Sequence, residues 1–379
     1  MKKKVNFYLV IFLFALTACN KYNPVNDKIY GIPSKNNMLS ESSLKSLEDV
    51  IKAFPDNPEN FYKKALFHLK KNEDTLALAS IKKALSLDSL NAKYYYILSK
   101  SQHRLRQTDL AMAAINKAGK QEDNNFEILI LSGELSYLQK DFDNAIKYLN
   151  KALMISTSDA RPYYWKANVE IARSDSASAI RNLNLALQKK PDYVDVYNSF
   201  AELYNKFEMY KTSVQFADKG LKINPRHDLL NFNKAEAFRR RVYFDDSAKV
   251  YYQKAYELNP ELYLASYYLG RYAFDRAAFK EATKYFESSL KYKPEFSKSN
   301  YYLGICYRYA GKKEDALKKF EKTMKLEPTN LSAREFYWSV KNDIDQEKFL
   351  AREDSIRRAY YKMLEEQRKK HEELLKSNQ

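Results

Sequence analysis

An all-α chain of stacked helical hairpins is what this sequence predicts, and three observations predict it. The first is a period of 34. Residues 263–296 read YLASYYLGRYAFDRAAFKEATKYFESSLKYKPEF and residues 297–330 read SKSNYYLGICYRYAGKKEDALKKFEKTMKLEPTN, so that Leu269-Gly270 matches Leu303-Gly304, Ala282 matches Ala316, Phe286 matches Phe320 and Pro294 matches Pro328. The second is a proline lattice. Pro55, Pro191 and Pro225 keep the same beat, and Pro260 follows after 35 residues, which places one inserted residue in between. Proline cannot continue a helix and so closes each pair. The third is a small-residue beat at Ala77, Ala111, Ala145, Ala179, Ser213, Ala248, Ala282 and Ala316. A small side chain belongs where two helices cross closely, because a larger one overpacks the crossing by about 1–3 kcal/mol. One hairpin cannot bury its apolar face alone, so a repeat of this length calls for a neighbour on each side.

These residues resemble the tetratricopeptide repeat (TPR) family. The resemblance implies an all-α, right-handed superhelical solenoid of about eight helix-turn-helix repeats with capping helices. The repeats fall at 58–91, 92–125, 126–159, 160–193, 194–227, 228–262, 263–296 and 297–330. The small eighth slot reads Ala65, Ser99, Gly133, Ala167, Ala201, Ala235, Gly270 and Gly304. The large twenty-fourth slot reads Ile81, Ile115, Leu149, Leu183, Tyr251, Phe286 and Phe320, with Ala217 in the fifth repeat. Ser89, Asp123 and Thr157 replace the closing proline in the first three repeats, and Gly220 replaces a helical alanine; looser turns are expected there. The insertion falls in Arg239–Asp246, between the two helices of its repeat.

The chain has 379 residues with 45% hydrophobic and 30% charged, a globular balance, and only seven glycines, which disfavours glycine-rich phosphate loops and turn-rich β folds. Its formal net charge is +17. Removal of Lys2, Lys3 and Lys4 with a leader leaves 17 − 3 = +14. A basic surface suits nucleic acid, an anionic membrane or an acidic partner; the export signal at the N-terminus argues against nucleic acid.

That signal comes first in the chain. Residues 1–18 carry a basic start and a twelve-residue apolar run, Val5–Leu16, too short for a spanning helix of about 20 residues. Leu16-Thr17-Ala18-Cys19 resembles the bacterial lipobox, which implies that Cys19 becomes a lipidated N-terminus, anchored by several acyl chains. Asn rather than Asp at position 20 favours an outer-membrane address. The tether, residues 19–40, contains Pro24, Gly31 and Pro33, and its 21 residues after the cysteine reach at most about 70 Å. Residues 41–57 form an N-terminal half-repeat, with Leu44, Leu47, Val50, Ile51 and Phe54 on one face. Residues 331–379 form a capping helix and a charged helical extension: Phe336, Tyr337 and Val340 cover the last repeat, and beyond Gln346 a thin stripe of Phe349, Ile356, Tyr360, Met363 and Leu364 remains. The extension reads as a solvated helix held by charges four residues apart, or as a coiled-coil or partner-docking helix.

No catalytic or metal constellation stands out. His68, His103, His227 and His371 are scattered, no nucleotide or nucleophile-elbow motif is found, and no cofactor is expected. Cys306 reads as a small core residue. What remains is a surface. In the TPR family the inner wall is lined by first-helix residues, including the fifth, ninth and twelfth slots. The fifth slot here holds Tyr62, Tyr96, Ile130, Tyr164, Asn198, Phe232, Tyr267 and Tyr301, six of eight aromatic. Lys100, His103, Asn168, Glu236, Arg239, Arg271 and Arg308 occupy the ninth and twelfth slots. Aromatic anchors beside arginines are the residue types that dominate protein interfaces, although a chain with 32 tyrosines also packs many of them between helices. The Lys-and-Asn carboxylate clamp of chaperone-binding members is not matched, because Asn168 follows Tyr164. The expectation is a non-enzymatic, membrane-anchored scaffold in the bacterial envelope, serving assembly of an envelope complex and binding protein or peptide segments, acidic ones included. A glycan- or nutrient-capture lipoprotein, or an accessory subunit of an envelope enzyme, is the alternative.

Overall fold

The computed structural model describes residues 41–241 and 246–377. The leader, Cys19 and the tether lie outside the described residues, as does the segment 242–245. The chain divides into two compact units, Met1–Lys189 and Lys190–Gln379. The first holds α1 (Glu41–Ala53), α2 (Pro58–Lys70), α3 (Asp74–Leu87), α4 (Ala92–Arg104), α5 (Thr108–Gln121), α6 (Phe126–Leu138), α7 (Phe142–Ile155), α8 (Arg161–Ala172) and α9 (Ser176–Lys189). The second holds α10 (Val194–Lys206), α11 (Tyr210–Ile223), α12 (Asp228–Arg241), α13 (Asp246–Leu258), α14 (Tyr263–Asp275), α15 (Phe279–Tyr292), α16 (Ser297–Tyr309), α17 (Lys313–Leu326) and the 47-residue α18 (Leu331–Ser377). All described elements are helices, and within each unit the hairpins α2–α3 to α8–α9 and α10–α11 to α16–α17 stack in series.

The small-residue beat sits where the paired helices cross. Ala77, Ala111, Ala145, Ala179, Ser213, Ala248, Ala282 and Ala316 are all fully buried. Where the crossing carries a hydroxyl, the partner helix satisfies it: Ser213 Oγ donates to the Ala201 carbonyl at 2.9 Å, and Ser99 Oγ to that of Ala111 at 2.7 Å. The large slot then fills the hairpin, and its size tracks the slot opposite. A Cβ placed on Gly270 would stand 2.7 Å from Phe286, and one on Gly304 would stand 2.8 Å from Phe320. The aromatic knobs fit because those two positions have no side chain.

In the sixth repeat the knob is Tyr252, fully buried, rather than Tyr251, which is half-buried and accepts a hydrogen bond from Lys234 Nζ at 2.7 Å. The inserted residue precedes α13, so every second-helix slot of that repeat moves on by one. Gly220 is also corrected. It lets hairpin α10–α11 accept its neighbour, since a Cβ there would meet Leu230 Cδ1 at 2.5 Å and Tyr197 Cβ at 3.0 Å. The site is therefore tightly packed instead of loose.

The turns without proline are closed by asparagine. Asn91 Oδ1 caps α4 by accepting from the Lys93 N–H, and Asn125 caps α6 by accepting from the N–H groups of Glu127 and Ile128. Inside each hairpin the turn holds one residue with positive φ. These are Asn72, Arg106, Lys140, Ser174, Glu208, Ala277 and Gly311, with φ between 59° and 73°. Each lies just before a backbone bond that spans five residues, such as Asp141 N to Ser136 O at 2.9 Å, the closure that favours a left-handed residue after a helix.

Candidate functional site

The first helices carry every side chain the sequence singles out, and the structure sorts them into two groups. In the aromatic fifth slot, Tyr62, Tyr96 and Tyr267 are 5% exposed and Tyr164 is 9%; Phe232 and Tyr301 are half-buried. The slot points into the seam between consecutive hairpins. Tyr62 lies 5.4 Å from Tyr94 of the next first helix, Tyr164 lies 5.0 Å from Trp165, and Tyr267 packs among Phe286, Phe296 and Tyr302. Tyr301 meets Tyr302, Phe320 and Phe336. Little of this row faces solvent.

The arginines form the second group, and here the structure brings together residues that the sequence reading left apart. Arg239 Cζ lies 4.3 Å over the Tyr268 ring, Arg271 Cζ lies 4.1 Å over Tyr302, and Arg308 Cζ lies 5.6 Å over Phe336. Each ring belongs to the following first helix: α14, α16 and α18 in turn. The three rungs recur because Tyr268, Tyr302 and Phe336 share one slot, each 34 residues after the last. That spacing was readable as the second aromatic of each YY or FY pair, Tyr267-Tyr268, Tyr301-Tyr302 and Phe336-Tyr337, but it needed the helix-to-helix geometry to acquire meaning. A guanidinium stacked on a ring is attracted to its face by about 0.5–2 kcal/mol, depending on desolvation.

Each rung also carries a carboxylate of the chain itself. Arg239 pairs with Glu236 at 2.7 Å, Arg271 with Asp275 at 3.2 Å, and Arg308 lies 3.8 Å from Asp343. Arg271 Nη1 donates to Tyr302 Oη at 2.5 Å. Glu236 is buried and accepts from Arg239, Arg240 and the Tyr252 hydroxyl. Burial, and next the charge of Glu236, push the Tyr252 and Tyr268 hydroxyls up. Burial raises Tyr302 to about 12 against the opposing pull of Arg271. All three rings are therefore neutral near pH 7. The result is a half-exposed strip of cation, ring and carboxylate along α12, α14, α16 and the start of α18.

The first helices of the other unit are built differently. Arg161 makes a two-pronged bond to Glu127 at 2.8 and 2.7 Å and also meets Asp159 at 2.9 Å. Tyr96 Oη donates to Glu127 at 3.5 Å, and Lys100 is buried 5.8 Å from the Tyr96 ring centre. His103 Nε2 lies 3.0 Å from Glu134. Burial opposes a charge on His103, but the hydrogen bond and the charge of Glu134 outweigh it, so its pKa is raised. Asn168 is half-buried on α8.

Among the described residues, no three of His, Cys, Asp and Glu stand together as a metal-binding group. Cys306 is fully buried, and burial lifts its thiol to about 11, which leaves it unreactive near neutral pH. Among the described residues no helix is long and apolar enough to cross a membrane.

Comparison with known proteins adds the following. Residues 297–330 and residues 126–159 each match the family described as tetratricopeptide repeat. No curated protein sequence matches the chain. Among solved structures, the APC/C hetero-tetramer Cut9–Hcn1 is similar over 80% of this chain, at 13% identity and a TM-score of 0.57; the chain spans 60% of the length of that relative. The C-terminal part of a TPR repeat-containing protein from Cytophaga hutchinsonii is similar over 65% of this chain and 99% of its own, at 18% identity and a TM-score of 0.43. YrrB, a TPR protein with an unusual peptide-binding site, is similar over 49% of this chain and 96% of its own, at 23% identity and a TM-score of 0.40.

Proposed function

This chain is a tetratricopeptide repeat protein, and we propose that it acts as an interaction scaffold whose first helices in residues 228–344 hold a protein segment. The single observation that carries the reading is the strip of Arg239 on Tyr268, Arg271 on Tyr302 and Arg308 on Phe336. Stacking fixes each guanidinium in place before a partner arrives, so less side-chain entropy is lost on binding. Three such groups at a constant repeat spacing suit an extended or helical segment better than a small molecule. Each arginine already holds a carboxylate of the chain, so acidic side chains of the partner compete for it. The arginines then set register and salt dependence, while ring edges and neighbouring apolar groups set affinity. The net charge of +14 after loss of the leader supports an acidic partner.

The address follows from Leu16-Thr17-Ala18-Cys19 and the apolar run before it. We place the scaffold in the bacterial envelope, lipid-anchored through Cys19, on the outer membrane, in a non-catalytic part in assembly of an envelope complex. Cys19→Ser is expected to release the protein from the membrane fraction and to block acyl labelling; unchanged membrane association rejects the anchor.

The binding reading is tested by crosslinking intact membranes, recovering the partner, and titrating it against the Cys19→Ser chain. Arg271→Gln with Arg308→Gln is expected to weaken binding about tenfold at low salt and less at high salt. Lys318→Glu with Lys322→Glu on α17 is expected to leave it unchanged. The opposite pattern assigns binding to the second helices and ends the proposal. Tyr267→Ala is a poor probe, because that ring is core.

A further inference from the structure

The last helix has two faces with different partners. Ala333, Val340 and Ile344 are buried and cap the last repeat against Ile305 and Phe320. At 100° per residue the opposite face carries Leu331, Trp338, Phe349, Ile356, Tyr360 and Met363, all within an arc of about 60°. Their exposures are 64, 51, 60, 61, 55 and 46%. Beyond Ile344 the helix continues for 33 residues, to Ser377, or about 50 Å of projection. Every described side chain there is exposed except half-buried Leu364. A single amphipathic helix standing free in water is marginal, and an apolar stripe of this length asks for a cover.

We propose that the cover is a second copy of the same helix, laid antiparallel and centred on Ile356. Phe349, Ile356 and Met363 recur at intervals of seven, the spacing that keeps one seam facing a partner helix. In this register Phe349 meets Met363 of the second copy, Ile356 meets itself, and Tyr360 meets Arg352. Charge chooses the orientation. Asp343, Asp345 and Glu347 lie near the root of the projection, and Arg368, Lys369 and Lys370 lie near its tip. Antiparallel pairing lays the basic tip of one copy beside the acidic root of the other, although Asp343 and Glu347 also meet Arg308 and Lys313 of their own chain. Parallel pairing would stack like on like. The register also keeps the two sets of repeats at opposite ends of the overlap. A membrane surface is a poorer fit, because residues 345–377 hold nine Lys and Arg against eight Asp and Glu, whereas helices that lie on anionic lipid are rich in cations on the polar face. Five apolar side chains from each copy bury roughly 1,000 Å² or more, the low end for a specific interface, so the dimer is a weak one.

Sedimentation velocity of the full chain carrying Cys19→Ser, at tens of micromolar, tests this. The parent is expected to sediment as a concentration-dependent dimer. Phe349→Asp with Ile356→Asp and Met363→Asp is expected to be monomeric, with its dissociation constant raised at least about tenfold. These three sites lie past the last buried residue, so the melting temperature of the repeats stays put. A mixture of the Phe349→Cys and Met363→Cys chains is expected to form the mixed disulfide on mild oxidation. A monomeric parent, a triple variant that still dimerises, preferential 349–349 linkage, or a monomeric parent that binds phosphatidylglycerol vesicles through this face each overturns the proposal.

Discussion

The two units solve one packing problem with different side chains. In residues 58–189 the knobs are Ile81, Ile115, Leu149 and Leu183, and the first-helix face is tied by ion pairs such as Arg161 with Glu127. In residues 228–330 the knobs are Tyr252, Phe286 and Phe320, and the face is tied by arginines on rings. The lesson is that the repeat fixes a volume for the hairpin interior and leaves its division free. An aromatic knob takes volume that glycine gives up across the crossing, as at Gly270 and Gly304, whereas Ile81, Ile115 and Leu183 face Ala65, Ser99 and Ala167. Leu149 shows that the rule is about space more than ring chemistry: it faces Gly133, and a Cβ there would stand 2.7 Å away.

The comparison breaks hardest where one unit loses its characteristic group. Phe320→Ala removes a fully buried ring opposite Gly304, so neither side can fill the hole, and the expected cost is about 3–5 kcal/mol in denaturant unfolding. The loss should concentrate in α16 to α18, because stacked repeats couple mainly to neighbours. In the other unit, Arg161→Met strands the buried carboxylate of Glu127. An expected loss of about 2–4 kcal/mol follows, lower than for a wholly buried pair because Arg161 keeps some exposure. A loss under about 1 kcal/mol would mean that this face is held by apolar packing after all.

A double substitution sharpens the volume rule. Gly270→Ala drives a Cβ into Phe286 and is expected to cost about 1–3 kcal/mol. Phe286→Leu recreates the glycine-free pairing found in residues 58–125, so the double variant should recover part of that loss. Strict additivity of the two costs in a thermodynamic cycle contradicts the rule.

The smallest effect is a pH dependence confined to residues 92–138. Burial disfavours a charge on His103 and Glu134 favours it, with a net raised pKa; Arg104 and Lys100 oppose the rise. A histidine raised on folding contributes its stability in full below its unfolded pKa of 6.5, and the contribution fades as pH climbs through the folded value. Amide exchange in α4 and α6 should therefore quicken between about pH 6 and 8 beyond the intrinsic base dependence. Glu134→Gln should remove that excess.

The period, the small slots and the closing prolines were legible in the sequence because each rests on one residue type with one physical reason. The turn between paired helices was not. Its left-handed position is filled by Asn72, Arg106, Lys140, Ser174, Glu208, Ala277 and Gly311, which share no chemistry that a reader could search for. The backbone closure decides it, and the side chain only tolerates it. The same holds for the candidate site. Arg239, Arg271 and Arg308 were readable as an interface signature, but the rings beneath them belong to the next repeat. The fifth-slot tyrosines have interface-type side chains and are mostly core, since slot position gives direction without depth. Tyr251 was taken for the knob in place of Tyr252 because an insertion shifts register silently until the helices are seen.

Hydrogen–deuterium exchange of the Cys19→Ser chain, with and without the partner recovered by crosslinking, tests the central claim most directly. The account expects new protection on the first helices α12, α14 and α16 and on the start of α18 at Phe336, with α13, α15 and α17 unchanged. Protection confined to α13, α15 and α17, or spread over residues 58–189 alone, contradicts it.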